Sequence, residues 1–337
     1  MEIGILRDDF MKIQEEVQQA IQEILNQKKQ IDKVVFIAAG GSNGGFYPAQ
    51  YFLSREATQI RSECFTSNEF YYAPPKYVDE HTLAIICSMR GTPETCKAAQ
   101  VAKDLGASTI ALYVDESELT KICDICIQYE SIAIDESRME RVNSSVGLML
   151  SMTLMKVQEG FEHYEDAMQA FDQVDALYRQ AVEETTPLAK SWALQNVDKK
   201  PIYVMGSGPA YGSAYIFSIC NLEEMLQIDS PTINSCEFFH GPFEILTPQT
   251  SVFQLISVGR TRAADLRAVQ FLKQYGGSRV YLLDGKQLGL DKIAEPIQEY
   301  FNHILFSPIL NNVYMRELSY CIGKDYMTRK YMWQVPY

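Results

Sequence analysis

The sequence has no uninterrupted apolar run long enough to cross a membrane. Its longest apolar stretch, residues 146–157, is interrupted by Ser151, Thr153 and Lys156, whereas a membrane-spanning helix needs about 20 predominantly apolar residues. Residues 1–9 contain neither a basic segment nor a long apolar segment, so we expect no secretory signal. The 8 cysteines are too dilute for a disulfide scaffold, which favours reduced thiols in a cytoplasmic protein.

Positive charge is also scarce. The sequence has 30 Lys and Arg against 43 Asp and Glu, a formal net charge of −13 at pH 7. No stretch concentrates basic residues into a patch that would offset this balance. Because an acidic surface repels nucleic acid and anionic lipid, we expect neither nucleic acid nor a membrane as a partner. A small anionic ligand remains compatible with this charge, since backbone N–H groups act on an anion at short range.

An alternation of apolar runs and helical patterns is the main feature that is present. The apolar runs are typical of strands buried on both faces of a parallel sheet, and the first ones are Lys33–Ala39, Leu83–Cys87 and Thr109–Val114. Helical spacing of apolar residues predicts helices at about residues 8–28 and 94–105. Strand, turn and helix alternate throughout, so the sequence predicts an α/β fold with right-handed crossovers.

The same succession returns in the second half of the chain, at residues 201–205, 252–256, 262–275 and 279–283. An offset of about 170 residues superposes several positions, namely Arg90 on Arg260, Lys103 on Lys273, Gly106 on Gly276 and Ser108 on Ser278. We interpret this as a duplicated domain. Two helical stretches, residues 138–159 and 161–183, lie between the copies.

The length of 337 residues fits two domains, and 47% hydrophobic with 22% charged residues excludes extensive disorder. The expected segments are an N-terminal helix (1–30), a first domain (31–160), a linker helix (161–195), a second domain (196–325) and a C-terminal tail (326–337).

Two turns rich in glycine and hydroxyl groups follow strands of the first domain. The first turn, Gly40–Gly45, contains Ser42 and suits a phosphate, but it has neither the dinucleotide-binding nor the Walker pattern. The second turn, Ser88–Thr92, offers two hydroxyls and the charged fork of Arg90. Ligands bind beyond the carboxyl ends of strands in open α/β sheets. Together the turns favour a phosphate site over the alternative of two tight turns with a solvated arginine.

Glu224 and His240 are candidates for proton transfer. Glu224 lies in a predicted helix after the second glycine turn, and His240 lies in a short loop before Gly241 and Pro242. A carboxylate and an imidazole that meet can move protons near neutral pH. From these residues alone, a surface glutamate and a structural histidine remain the stronger interpretation.

Cys123 and Cys126 have the spacing of a metal or redox pair. No second such pair and no histidine lies nearby, and the surrounding residues have the pattern of an apolar strand. We therefore interpret the two cysteines as packing residues and expect no metal site.

Three motifs together resemble the double sugar-isomerase-domain (SIS) proteins: Ala39-Gly40-Gly41-Ser42, Ser88-x-x-Gly91-Thr92 and Glu237-x-x-His240-Gly241-Pro242. The resemblance covers essentially the whole chain and is strongest to the fructosamine 6-phosphate deglycases. It implies two tandem SIS domains, each a flavodoxin-like three-layer sandwich with a parallel sheet, joined by helices.

The resemblance also implies roles for individual residues. Glu224 matches the family's carboxylate base, and His240 matches a ring-opening or general-acid histidine that relatives lend to the neighbouring subunit. A homodimer with shared active sites is thus implied. Trp333 stands where the related glucosamine-6-phosphate synthases carry an imine-forming lysine, and is assigned to substrate binding. The residues that would hold the sugar phosphate are Gly41, Ser42, Ser88, Arg90 and Thr92.

The implied activity is cleavage of a 6-phosphorylated fructosamine to glucose 6-phosphate and a free amine, without a cofactor. One alternative is an aldose–ketose isomerase or deaminase that acts on an amino-sugar phosphate. The other is a regulator that binds a phosphosugar without converting it.

Overall fold

The computed structural model describes residues 12–28 and 30–336. The first helix, α1, runs over Ile13–Lys28 as predicted, while residues 8–11 of that prediction lie outside the described residues. One face of α1 packs on the core because apolar residues recur at helical spacing; its buried residues are Ile13, Val17, Ala20, Ile21 and Ile24.

The first half of the chain forms a five-stranded sheet in the order β2-β1-β3-β4-β5. All neighbouring pairs are parallel. This is the flavodoxin-like strand order, so the predicted fold class is confirmed. The strands are β1 Lys33–Ala38, β2 Arg61–Thr66, β3 Thr82–Cys87, β4 Ser108–Tyr113 and β5 Ile125–Gln128.

The second half repeats this arrangement as a four-stranded parallel sheet in the order β7-β6-β8-β9. The strands are β6 Ile202–Gly206, β7 Thr232–Asn234, β8 Ser251–Ile256 and β9 Val280–Asp284. The first four strands of each sheet therefore have the same order, as a duplicated domain requires. The proposed domain limits themselves stay a prediction.

Helices cover the sheets and join the two halves. The further α-helices are α2 Gly40–Gly45, α3 Tyr47–Glu56, α4 Ser67–Tyr72, α5 Pro93–Asp104, α6 Glu118–Ile122, α7 Asn143–Gln158, α8 Tyr164–Gln195, α9 Ala210–Ile216, α10 Arg262–Tyr275, α11 Glu295–Gln298, α12 Asn302–Ile309 and α13 Arg316–Ile322. Two π-helices are Phe217–Leu226 and Leu310–Met315. Short 3₁₀ turns are Met139–Arg141, Pro242–Ile245, Gly285–Leu288, Leu290–Lys292 and Glu299–Phe301. Within the described residues, none of the helices combines the length and apolarity that a membrane span requires.

The structure corrects three details of the predicted elements. The helix expected from residue 138 begins at Asn143, because a 3₁₀ turn and an extended residue precede it. β2 and β7 were not predicted, since they are edge strands with half-exposed residues and no continuous apolar run. Helix caps Thr92 and Thr261 lie 169 residues apart. The superposition of Arg90 on Arg260 is therefore off by one residue, and Ser88 corresponds to Ser257 instead.

A close helix crossing joins the two halves. An added Cβ on Gly44 in α2 would lie 2.5 Å from the Ile216 side chain, and one on Gly212 in α9 would lie 2.9 Å from the carbonyl oxygen of Gly44. Gly212 follows Gly44 by 168 residues, so the two glycines lie within one residue of equivalent positions in the repeat. The absence of side chains at both positions lets the two helices approach this closely.

A buried histidine lies beside this crossing. His303 in α12 is 1% exposed, and its Nδ1 is 3.1 Å from the Ser213 hydroxyl oxygen. Burial lowers the pKa of His303 to about 3, so the folded protein keeps this imidazole neutral.

The pH dependence of unfolding tests the state of His303. Below pH 6.5, its ordinary pKa, the unfolded chain binds a proton that the folded chain does not bind. Stability is therefore lost as the pH falls from about 6.5 towards 3, by about 2 kcal/mol between pH 7 and pH 5 for this group. We expect His303→Gln to remove this share of the pH dependence in urea unfolding, and the exposed control His81→Gln to retain it. An unchanged pH dependence in His303→Gln would contradict the assignment.

Candidate active site

The two predicted turns lie side by side at the carboxyl edge of the first sheet. β1 and β3 are neighbours, with Ala38 opposite Cys87, while β2 flanks β1 on one side and β4 flanks β3 on the other. Open α/β sheets bind ligands at such a topological switch point. We call the site formed by Gly40–Gly45 and Ser88–Thr92 the first crevice. The structure brings together the two hydroxyl-bearing segments that the sequence singled out, of which Gly40–Gly45 forms the short helix α2 and not a turn.

The half-buried Ser42 contacts two buried, uncharged side chains. Ser42 hydrogen-bonds with Cys87 and with Tyr129. Burial raises the pKa of the Cys87 thiol to about 11 and also raises the pKa of Tyr129, so both groups stay protonated near neutral pH. The Asn143 amide nitrogen at the start of α7 lies 3.8 Å from Cys87 Sγ. The floor of the first crevice is therefore polar without negative charge, which suits an anion.

A cavity of about 420 Å³ adjoins the first crevice. It opens at the carboxyl ends of β4 and β5, and Tyr129, Ser131 and Arg138 are among its lining residues. Because Tyr129 also hydrogen-bonds with Ser42, the cavity and the crevice share this side chain. A ligand anchored in the first crevice has room to extend here.

The second turn is held by its own hydroxyl groups. The Ser88 hydroxyl oxygen accepts a hydrogen bond from the Thr92 N–H at 3.0 Å, and the Thr92 hydroxyl lies 2.8 Å from that of Thr95. Gly91 has a φ of +64°, which disfavours other residues. The Ser88 hydroxyl is thus engaged in shaping the turn.

Arg90 lies on the outside of this turn. Its guanidinium is 74% exposed, and Nε is 2.9 Å from an Asp115 carboxylate oxygen. An exposed ion pair of this kind contributes at most about 1 kcal/mol to stability. The assignment of Arg90 to phosphate binding stays a prediction.

Glu224 belongs to the second half of the chain but lies close to the first crevice. It is part of the π-helix Phe217–Leu226, which continues α9, and π-helical segments are frequent at functional sites. One turn earlier, the Cys220 thiol accepts a hydrogen bond from the Gly41 N–H. Burial, with the nearby Glu224 charge, raises the pKa of Cys220 to about 12, so this thiol is neutral. The helix crossing therefore brings the π-helical segment that carries Glu224 next to Gly41.

The C-terminal tail folds back on Glu224. Arg329 Nε donates a hydrogen bond to Glu224 Oε1 at 2.7 Å, and their side chains are 8% and 23% exposed, respectively. The guanidinium carbon lies 5.7 Å from the centre of the Trp333 ring. Trp333 has a φ of +60°, and its side chain is 74% exposed. Trp333 is therefore linked to Glu224 through Arg329, and its role toward a substrate stays a prediction.

His240 is exposed at the surface. Its loop is anchored by a cluster of packed aromatic rings, Phe238, Phe239, Phe243 and Phe271. The adjacent Gly241 has a φ of +137°. Across residues 12–28 and 30–336, no hydrogen bond or ion pair joins His240 to Glu224. That His240 and Glu224 act together in one site therefore stays a prediction.

In the corresponding site of the second sheet, the second crevice (Ser207–Gly208 and Ser257–Thr261), a side chain of the protein contacts the turn beside a cavity of about 710 Å³. The Glu299 carboxylate accepts hydrogen bonds from the Arg260 N–H at 2.9 Å and from Arg260 Nε at 2.6 Å. It is 6% exposed, and an added Cβ on Gly259 would collide with it. A carboxylate therefore already occupies this second anion position.

No group of three or more His, Cys, Asp or Glu side chains in the described part of the chain is arranged to hold a metal ion. Cys123 is buried, while Cys126 is exposed and lies 3.3 Å from the Thr120 carbonyl oxygen. The two cysteines thus lie in different environments.

Sequence reasoning missed Cys220, Tyr129 and the contact of Arg329 with Glu224. In the sequence, Arg329 is only one member of a basic and aromatic C-terminal tail. Nothing in the pattern around Cys220 or Tyr129 distinguishes these residues from packing residues.

Comparison with known proteins gives near-full-length relatives, although no family model matches the sequence. Fructosamine deglycase FrlB of Bacillus subtilis is 35% identical over 328 residues, covering 97% of this chain and 98% of that protein. Fructoselysine 6-phosphate deglycase of Escherichia coli K12 is 26% identical over 252 residues, covering 73% of this chain and 72% of that protein. The crystal structure of a candidate phosphosugar isomerase from Salmonella typhimurium superposes with a TM-score of 0.93 at 35% identity, covering 97% of this chain and 100% of that one.

The two parallel sheets, their repeated strand order and the near-full-length relatives agree with one another. This chain therefore belongs to the FrlB-like family of double sugar-isomerase-domain proteins.

Proposed function

We propose that this protein is an enzyme that cleaves a 6-phosphorylated fructosamine, the ketoamine of fructose 6-phosphate and an amino acid, to glucose 6-phosphate and the free amine. The observation that carries the proposal is the Glu224 carboxyl group beside the Gly41 and Ser42 turn, connected through Cys220. The names of the relatives point to the same class of substrate.

The substrate phosphate binds in the first crevice, where Gly41, Ser42, Ser88 and Thr92 offer N–H and hydroxyl groups. Arg90 adds charge from the rim. The phosphate does not react, so its binding energy serves to orient the distant C1 carbon. The cavity beside Tyr129 provides space for other parts of the substrate.

The reaction requires only proton transfers and one water molecule. His240 assists ring opening, and Glu224 removes a proton from C1 to give an enaminol. Return of a proton to C2 converts the enaminol into an imine at C1, and water hydrolyses this imine to the aldehyde and the amine. The C2 carbonyl oxygen takes up the electron pair of the broken C1–H bond, and the lone pair of the substrate nitrogen then forms the C1=N bond, so neither a metal nor an organic cofactor takes part.

Trp333 separates this proposal from its closest alternative, an isomerase or deaminase for amino-sugar phosphates. A tryptophan cannot form the imine that a lysine forms in the resembling synthases. Assays with glucosamine 6-phosphate, and with fructose 6-phosphate plus ammonia, distinguish the two activities. A phosphosugar-binding regulator would bind the fructosamine and leave it unchanged.

Because phosphate esters do not cross a bilayer unaided, we also propose that the protein acts in the cytoplasm. We retain the domain limits 31–160 and 196–325 as part of the proposal. All strands of the two sheets fall inside these limits.

Replacement of Glu224 by Gln tests the proposed base. The amide keeps the shape of the side chain but cannot accept the C1 proton, so we expect kcat to fall by about 10²–10⁴-fold. Release of glucose 6-phosphate is followed with a coupled dehydrogenase. The matched control is Glu223→Gln, an exposed neighbour, which should keep its turnover. Turnover of Glu224→Gln within a few-fold of the natural enzyme would rule out this role.

Replacement of Ser42 by Ala tests the first crevice. Loss of a hydrogen bond to a charged phosphate costs about 1.5–3 kcal/mol, so we expect KM for the 6-phosphorylated substrate to rise about 10-fold or more. Ser207→Ala removes a hydroxyl from the second crevice and should leave KM unchanged. Equal effects of the two substitutions would mean that the crevices are not functionally distinct.

Mixed dimers test whether His240 completes the site of a neighbouring subunit. We propose a homodimer in which His240 of one protomer serves the Glu224 of its partner. Neither Glu224→Gln nor His240→Ala should be active alone. Equimolar co-refolding should restore about a quarter of the natural activity, because half of the dimers then contain one intact site. If both residues act within one chain, the mixture stays inactive.

A further inference from the structure

Arg329 is a buried cation whose hydrogen-bonding capacity is only partly used. Nε donates to Glu224 Oε1 at 2.7 Å, and Nη1 donates to the Tyr326 carbonyl oxygen at 2.5 Å. In the described part of the chain, Nη2 donates to no protein group, and it is not among the fully buried atoms although the side chain as a whole is only 8% exposed. An arginine whose one unused donor faces solvent is suited to a second anion beside Glu224.

The chemistry of the proposed substrate places an anion at this position. In a ketoamine formed through the α-nitrogen of an amino acid, the α-carboxylate carbon is three bonds from C1. If Glu224 removes a proton from C1, the α-carboxylate lies within about 4–5 Å of that carbon. It is therefore within reach of a guanidinium that already contacts Glu224.

The overall charge of the protein makes a local cation useful for binding a substrate with two anionic groups. With a net charge of −13, the surface repels a substrate that carries both a phosphate and a carboxylate. The substrate phosphate binds in the first crevice, so the substrate carboxylate requires a separate positively charged group near Glu224. The planar fork of an arginine binds a carboxylate directionally.

We propose that Arg329 binds the α-carboxylate of the amino acid half of the substrate through Nη2, while Nε keeps Glu224 in place. The proposal rests on the proposed deglycase function and adds a specificity residue to it. Trp333, whose ring lies 5.7 Å from the guanidinium carbon, restricts the positions that the arginine can adopt. The tail thereby selects substrates that carry a negative charge close to the reacting carbon.

Two substrates of nearly equal size test this inference: the 6-phosphofructosyl conjugates of glycine and of glycinamide. We expect Arg329→Gln to lower kcat/KM for the glycine conjugate at least about 10-fold more than for the glycinamide conjugate. The difference in intrinsic reactivity between the two amines is the same for both enzymes. It therefore cancels when the glycine-to-glycinamide ratio of kcat/KM in the variant is divided by that ratio in the natural enzyme, and the effect of the arginine remains. The matched control Lys330→Gln, an exposed tail cation, should leave the ratio unchanged.

The outcomes separate the two levels of the proposal. Equal losses on both conjugates would overturn carboxylate binding, because they would mean that Arg329 only positions Glu224. In that case, cleavage of the conjugates by the natural enzyme would still support the proposed deglycase function. Failure of the natural enzyme to cleave either conjugate would instead contradict the proposed function itself. Arg329→Lys retains a charge without the fork, and should keep part of the preference for the glycine conjugate. A natural enzyme that shows no preference for the glycine conjugate over the glycinamide conjugate would also overturn the inference.

Discussion

The contact between Gly44 and Gly212 is the constraint on which the candidate site depends. With no side chain at either position, α2 of the first half and α9 of the second half approach each other closely. The π-helix that continues α9 is thereby placed with Cys220 against Gly41, and Glu224 follows one turn later. A methyl group at either glycine would push the helices apart and move the π-helix away from Gly41 and Ser42. A packing contact thus sets the distance between two parts of the site.

The duplicated fold provides two similar crevices, but they differ in what fills them. In the second crevice Glu299 supplies an internal carboxylate to the N–H and guanidinium groups of Arg260. This arrangement indicates how the turn after a central strand interacts with an anion. In the first crevice, Ser42 contacts neutral groups instead, which leaves the anion position to a ligand. In the proposed function, one copy binds the phosphate and the other supplies the reacting carboxyl group.

Much of the fold could be predicted from the sequence, because fully buried parallel strands such as β3 and β8 are continuous apolar runs. The edge strands β2 and β7 could not, since half-exposed residues leave no such pattern. The turns at Ser42 and Ser88 were predictable from strand ends and glycines. The contacts of Glu224 were not, because they arise from a helix crossing and a folded-back tail that bring together residues 105 positions apart. Local pattern carries no information on such long-range contacts.

The carboxylate in the second crevice has an evolutionary consequence. Because Glu299 takes the anion position of the second crevice, the two halves of this chain are not interchangeable. Neither half could replace the other in a shortened chain. Fusion of the copies into one polypeptide guarantees a one-to-one ratio of the two specialised halves.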